Sequence, residues 1–205
     1  MTRDHGVVTL VIIALLAGAA TGIARGGGLA RLAALRPVRN RLVLTGLGVY
    51  AAGVMLAWLW SPAMALFAGL AMLVWAFYAW LNRSVQGALL IAAGLAANAL
   101  VLILNGAVPV SPDAVSRAGA DLTEALSAEL NEPADAESHF AWLGKSVPIA
   151  FPPRPEVVSP GDLAVAAGLA VVVCMGLTER RRGLPRAVPE PEVAEEDWEP
   201  ASARV

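Results

Sequence analysis

The stretch from Arg25 to Arg41, RGGGLARLAALRPVRNR, decides how the rest of this chain can be arranged. It carries five arginines and no acid, and it lies between two apolar runs at residues 6–24 and 42–60. If those runs cross a membrane, a loop this basic is retained on the cytoplasmic side, and it therefore orients the helices on both sides of it. The arginines are Arg25, Arg31, Arg36, Arg39 and Arg41.

The composition indicates that lipid is the solvent. Hydrophobic residues make up 57% of the 205 residues and charged residues only 16%, whereas roughly a quarter of the residues of a soluble domain are charged. The net charge of -2 hides a segregation, because the basic residues gather at the ends of apolar runs. We therefore expect the lipid bilayer, and no nucleic acid, as a partner.

Five apolar runs have the length of a membrane span, which needs about 20 residues. The first four contain no Asp, Glu, Lys, Arg or His, whereas the strictly apolar part of the fifth, residues 163–177, is short. Ser159-Pro160-Gly161-Asp162 lengthens it as a helix start, with a capping serine, a proline at the first position and an acid in the first turn. A re-entrant or surface helix is the alternative. The predicted spans are residues 6–24, 42–60, 61–81, 85–104 and 160–178.

Basic residues form clusters only at alternate connections, which predicts the topology. Arg83 and the Arg180-Arg181-Arg182 triplet join the first basic loop inside, while the Ser61-Pro62 turn and residues 106–159 lie outside. The prediction is an all-α integral membrane protein with five transmembrane helices, the N-terminus outside and the C-terminus cytoplasmic. Ala17-Gly18-Ala19 resembles a signal-peptide cleavage site, but cleavage there would export the five-arginine loop, so we reject it.

One stripe of the fourth span is typical of a helix that faces protein. Its members are spaced by four and three residues along residues 85–104 and just beyond. Asn98 is the polar member inside the span, and the sequence allows two roles for it: a hydrogen bond to a neighbouring helix, which we favour, or one wall of a small cavity shared with Asn105. The stripe consists of Gly87, Ile91, Gly94, Asn98, Val101 and Asn105.

The run Asn105-Gly106-Ala107-Val108-Pro109-Val110 predicts the end of that helix. Asn-Gly is a strong turn pair, Gly106 can adopt positive φ, and Pro109 prevents the helix from resuming. Asn98, Asn105, Gly106 and Pro109 are therefore our candidate polar or turn positions. A binding role for Asn105 is the alternative to a helix cap.

Residues 106–159 form an acidic external segment, with eight acids against three bases. A helix is predicted to start at Ser111-Pro112-Asp113, with Val115, Gly119, Leu122, Leu126 and Leu130 on one apolar face that docks on protein. Prolines keep the later part of the segment extended up to the fifth span. The tail, residues 179–205, is proline-rich and acidic, and it is predicted to be disordered.

The sequence offers little for catalysis or metal binding. Cys174 is the single cysteine, and His5 and His139 are the only histidines. His139 could act as a base with Asp113 or Asp135, but no Gly-x-Ser-x-Gly nucleophile motif accompanies it. We therefore predict no catalytic residue, no cofactor and no metal site, and we lean against an enzyme.

Three short motifs resemble a family of small bacterial multi-span membrane proteins that carries a domain-of-unknown-function label. They are the run from Asn105 to Val110, Val147-Pro148-Ile149, and Ser159 to Asp162. The resemblance extends over about residues 1 to 180. It implies a multi-pass protein of the bacterial inner membrane, and it supplies no activity to carry over.

Three hypotheses for function follow. The favoured one is a non-enzymatic structural or interaction component of a membrane or envelope complex. The first alternative is a transporter or channel component for a neutral small molecule, with Asn98 and Asn105 in a polar site; the lack of ionisable residues in the first four spans disfavours a charged substrate. The second is a membrane enzyme that uses His139. Oligomeric state stays open.

The predicted topology is testable with single thiols in a Cys174→Ser background. A membrane-impermeant maleimide added to intact cells should modify Ala125→Cys and leave Ala33→Cys unmodified until the membrane is permeabilised, because position 125 lies in the exported acidic segment and position 33 in the cytoplasmic loop. Labelling of position 33 in intact cells, or none at position 125, would overturn the orientation.

Overall fold

A computed structural model of the chain describes residues 5–33, 35–150 and 155–178 and is mostly helical. The basic triplet and the tail lie outside the described residues. The helices of the apolar runs are long, whereas the elements of the acidic segment are short. In chain order the elements are α1 His5–Ala24, α2 Leu29–Ala33, α3 Arg41–Ala57, α4 Ala63–Leu81, α5 Ala88–Asn105, β1 Val108–Val110, α6 Pro112–Ala118, α7 Leu122–Ala125, β2 Asn131–Pro133, the 3-10 helix η1 Ala141–Leu143, β3 Val147–Ile149, β4 Glu156–Val158 and α8 Pro160–Thr178.

Within the described residues, four helices are long and apolar enough to cross a membrane: Val7–Ala24 within α1, α4, α5 and α8. The fifth apolar helix, α3, is only 17 residues long. It ends at Ala57, and Trp58 and Leu59 form a turn. Pro62 directly precedes the first residue of α4. The run predicted at residues 42–60 thus divides into a shorter helix and a turn.

The five apolar helices pack in the order α3, α4, α5, α8, α1, each against its neighbours in that series. Glycine contacts give their directions: Gly46 of α3 lies against Trp75 near the end of α4, and Gly69 of α4 lies against Ile103 near the end of α5. Gly18 of α1 lies against Ala170 of α8 and Gly22 lies against Leu177, so these two helices run parallel, and α5 opposes both. The acidic segment therefore lies at one end of the bundle, and the arginine-rich connection and Arg83 lie at the other.

Contact between α5 and α8 is made backbone to backbone. A side chain at Gly94 would collide with the carbonyl oxygen of Gly161, and one at Gly87 would collide with the carbonyl oxygen of Gly168. Gly87 also has φ of 95°, which favours glycine on conformational grounds. Small residues that let helices approach this closely are the usual basis of packing where water is absent.

The acidic segment is organised differently from its prediction. The helix does start after Ser111, whose hydroxyl accepts a hydrogen bond from the N–H of Ala114 (3.2 Å), but it ends at Ala118. Gly119, with φ of 75°, terminates α6, and the Asp121 carboxylate caps a separate helix, α7. The prediction of one apolar face continuing to Leu130 was therefore wrong.

Two small sheets complete the segment and were not predicted. Strand β1 pairs in parallel with β2, with Val108 opposite Asn131, and β3 pairs antiparallel with β4. Buried side chains from β1, α6 and β4 form a core of their own, so the apolar face of α6 is covered from within the segment. Leu130 instead packs on the ends of α4 and α5. The core residues are Val110, Ala114, Val115, Ala118 and Val157.

The contact between α5 and α8 makes Gly94→Ala a sharp test. Its methyl group has no space against Gly161, so the thermal midpoint in mild detergent should fall by several degrees, as expected for a destabilisation of about 1–3 kcal/mol. Gly48→Ala is the matched control, since nothing lies within 4 Å of a Cβ built there. Equal behaviour of the two variants would contradict the packing described.

Candidate functional site

A polar junction joins the middle of the bundle to the start of α8. Asn98 Nδ2 donates to Asp162 Oδ1 (2.8 Å), and the Ser159 hydroxyl donates to Asn98 Oδ1 (2.9 Å). Both ends of the Asn98 amide are thus engaged by the first turn of α8. We call Asn98, Ser159 and Asp162 the α5–α8 junction.

Ser159 and Asp162 also cap α8 reciprocally. The N–H of Asp162 donates to Ser159 Oγ (2.9 Å), and the N–H of Ser159 donates to Asp162 Oδ2 (3.0 Å). This is a capping box with aspartate in the place of the usual glutamate, and it satisfies two N–H groups that the helix itself leaves unpaired. Ser159 is only 3% exposed, so those N–H groups have little access to solvent.

Gly161 explains why Asn98 can reach the cap. A Cβ at position 161 would occupy the place of the Asn98 amide oxygen and would also approach the Gly94 carbonyl oxygen at 2.8 Å. The glycine therefore leaves the room that the amide fills. The sequence indicates Ser159, Asp162 and Asn98 by separate patterns, and the tertiary fold brings them together.

Asn105 makes a second junction, to the acidic segment. Its Oδ1 accepts from the His139 N–H (2.7 Å), and its Nδ2 donates to the His139 carbonyl (2.9 Å) and to the Val101 carbonyl (2.7 Å). The side chain thereby pairs with the main chain of one residue as a β-strand neighbour would. Gly106 follows with φ of 70° and ends α5, its N–H donating to Leu102.

Pro109 lies in β1. Its carbonyl accepts a hydrogen bond from the Lys145 N–H (2.8 Å), and Gly144 packs closely against that carbonyl. Lys145 is 6% exposed and its carbonyl accepts from the Ser111 N–H (3.0 Å). Pro109 thus joins β1 to the chain between η1 and β3.

Asn105, Pro109 and His139 border an open groove of about 230 Å³ with a mostly polar lining. Its acidic members are Glu132, Asp135 and Glu137. The hydroxyl of Ser138 and the N–H of Glu137 donate to the Asp135 carboxylate and hold the pKa of Asp135 below its usual value. The groove therefore carries negative charge at neutral pH.

The groove brings together some of the residues that we had considered for catalysis. His139 and Asp135 both line it, whereas Asp113 lies on α6 and does not. Over the described ranges, no group of three or more His, Cys, Asp or Glu side chains has an arrangement that could hold a metal ion.

A third asparagine, Asn82, was not predicted from the sequence; it follows α4 and is 7% exposed. Its Oδ1 accepts from the Val38 N–H (2.7 Å), and its Nδ2 donates to the carbonyls of Val38 (3.2 Å) and Tyr78 (2.9 Å). This repeats the geometry of Asn105 at the opposite end of the bundle. The one available signal was its position, an asparagine at the end of an apolar run next to Arg83.

Helix packing through glycine, with asparagine side chains fastening the connections, gives a multi-helix bundle with a small α/β segment at one end. Four of its described helices are long and apolar enough to span a membrane. The chain belongs to a family of unknown function, DUF5317, which matches residues 41–174. The match includes all three of the motifs that resembled such a family, but it is narrower than residues 1 to 180 and leaves out α1 and α2. No curated protein and no solved structure shows significant similarity to the chain.

The α5–α8 junction predicts an energetic coupling between Asn98 and Asp162. In a double-mutant cycle with alanine, unfolding free energies in detergent should give a coupling of about 1 kcal/mol, because each side chain loses its partner when the other is removed. Asn98 and Asn105 share no contact, and their alanine variants should add independently. A coupling near zero for the first pair would contradict the junction.

Proposed function

We propose that the protein is a multi-pass component of the bacterial inner membrane that works without catalysis, as a structural or interaction partner in a membrane or envelope complex. In this proposal α1, α3, α4, α5 and α8 all cross the bilayer. The N-terminus and residues 106–159 lie outside, and the arginine-rich end lies in the cytoplasm.

The short helix α3 is compatible with a span. It packs along α4 over its length, with Gly46 against Trp75 and Gly53 against Phe67. Trp58 and Trp60, 89% and 52% exposed, follow its end, and tryptophan at that position is typical of the interface between hydrocarbon and headgroups. The basic residue Arg41 begins the helix at its other end.

One observation supports an interaction role more than any other: the acidic segment is attached to the bundle at several points. Asn105 fixes it at His139, the α5–α8 junction fixes the point where it enters α8, and Leu130 packs on α4 and α5. A segment that is fastened at several points, and whose own core is closed, presents a constant surface. A preorganised surface lowers the entropic cost of binding a partner.

The charge of that surface indicates the kind of partner. Glu132, Asp135 and Glu137 surround the open groove, and Asp135 stays ionised because its hydrogen bonds favour the charged form. A protein with a basic surface would complement these carboxylates, and complementary charge steers association and selects partners. We infer a basic envelope or membrane protein.

A transport role has less support. Asn98 was the residue that could have lined a polar cavity, and both polar ends of its amide are bonded to Ser159 and Asp162. Among the described residues, no buried side-chain nitrogen or oxygen atom lacks a hydrogen-bond partner. A solute would have to compete with these bonds.

The proposed interaction is testable by charge reversal. Carbodiimide joins carboxylates to lysines of a bound partner, and the complex is then purified in mild detergent. Glu137→Lys should reduce the co-purified partner by about fivefold or more, since it places like charge against a basic surface. Glu129→Lys is the control, because it makes the same charge change on an exposed residue outside the groove. Purification of the wild-type protein alone, or equal loss in both variants, would count against the proposal.

A further inference from the structure

The end of the bundle opposite the acidic segment carries a second, larger groove, of about 690 Å³. It lies between the start of α3 and the end of α4. Its lining combines two arginines with apolar side chains, and one end of the groove is therefore cationic while its wall is hydrophobic. The lining residues are Arg39, Asn40, Arg41, Leu42, Phe77 and Leu81.

The two arginines are exposed, and neither guanidinium has an ion-pair or hydrogen-bond partner in the part of the chain that the structure describes. The sequence explains this, because residues 5–112 contain no aspartate or glutamate. An uncompensated pair of guanidinium groups is a strong attraction for phosphate, whose oxygens match the planar array of N–H donors.

The backbone that carries these arginines is held in place. Arg39 has φ of 57°, an uncommon conformation for a residue other than glycine. Residues on both sides of it are fixed: Asn82 pairs with the main chain of Val38, and the Tyr78 hydroxyl donates to Asn40 Oδ1 (3.2 Å). The cationic end of the groove is thus positioned by α4.

The apolar wall is equally ordered. Phe77 is 51% exposed and stacks on Trp80, with ring centroids 5.8 Å apart. The Arg83 guanidinium lies 4.8 Å from the Trp80 ring centroid, and this cation–π contact also holds the Trp80 ring in place. A large exposed phenyl ring beside two free arginines fits an amphiphile better than a free ion.

We propose that this groove binds an anionic glycerophospholipid of the membrane. The lipid phosphate would accept hydrogen bonds from Arg39 and Arg41, and an acyl chain would lie along Phe77 and Leu81. Basic pockets between the ends of membrane helices bind acidic lipid headgroups for this reason. The inference rests on the proposed membrane location, and it is independent of the proposed protein partner.

Native mass spectrometry of the full chain released from phosphatidylcholine nanodiscs containing phosphatidylglycerol tests the site. The Arg39→Gln/Arg41→Gln variant should retain about 25-fold less phosphatidylglycerol, at about fivefold for each basic contact. Arg25→Gln/Arg36→Gln is the matched control, with the same loss of charge from exposed arginines outside the groove, and it should change retention by less than about twofold. Equal losses would show a diffuse surface attraction and overturn the proposal.

Two further experiments distinguish a lipid from other occupants of the groove. Glycerol 3-phosphate, which has the phosphate without acyl chains, should compete at least about tenfold more weakly than a short-chain phosphatidylglycerol, and equal competition would overturn the lipid assignment. Deletion of residues 183–205 should leave retention unchanged. A large increase would instead show that the acidic run Glu195-Glu196-Asp197 occupies the groove.

Extraction with alkaline carbonate tests the proposed membrane location separately. A protein that dissolves in it is not integral, and the membrane location would then be rejected. If no protein partner is found, lipid retention is unaffected. The proposed protein partner and the proposed lipid site can therefore be rejected separately.

Discussion

The close approach of α5 and α8 is the constraint on which the rest of the structure depends. Glycines at 87, 94, 161 and 168 let the two backbones meet, and Asn98 fills the remaining space with hydrogen bonds to Ser159 and Asp162. Where water is scarce, a helix start with unpaired N–H groups is costly, so the cap on α8 and its tie to α5 answer the same requirement. Helix α8 in turn packs against α1, and α5 packs against α4.

The asparagines at the ends of α4 and α5 extend this principle to the connections. Asn82 pairs with the main chain of Val38, and Asn105 pairs with that of His139, each with two hydrogen bonds to a single residue. An amide can do this because it offers a donor and an acceptor side by side, as a peptide group does. The arginine-rich connection and the acidic segment are therefore fixed to opposite ends of the bundle.

This arrangement separates charge along the molecule. All acids of the described residues lie at or beyond Asp113, and the free arginines of the groove lie at the far end. One end thus offers carboxylates around Asn105 and His139, and the other offers guanidinium groups beside Phe77. A protein that engages a basic partner on one side and acidic lipid on the other would have these features.

The sequence by itself determined the parts that depend on local composition. Apolar length predicted where the helices lie, and Asn105-Gly106 predicted the end of α5. The spacing from Gly87 to Asn105 predicted the face of α5 that meets α8, because helical periodicity places those residues on one side, but it did not predict the second face, which packs on α4 through Ile103. Ser159 and Asp162 likewise have a pattern that is typical of a helix start.

Only the tertiary structure decided which groups meet. The partners of Asn98 and Asn105 lie 61 and 34 residues away, at Ser159 and His139, and no local pattern specifies a contact at that separation. The sheet of β1 and β2 pairs segments that are distant in the chain, and the core around Val110 and Val157 joins β1, α6 and β4. Packing and hydrogen bonding between distant segments, which periodicity does not encode, made those choices.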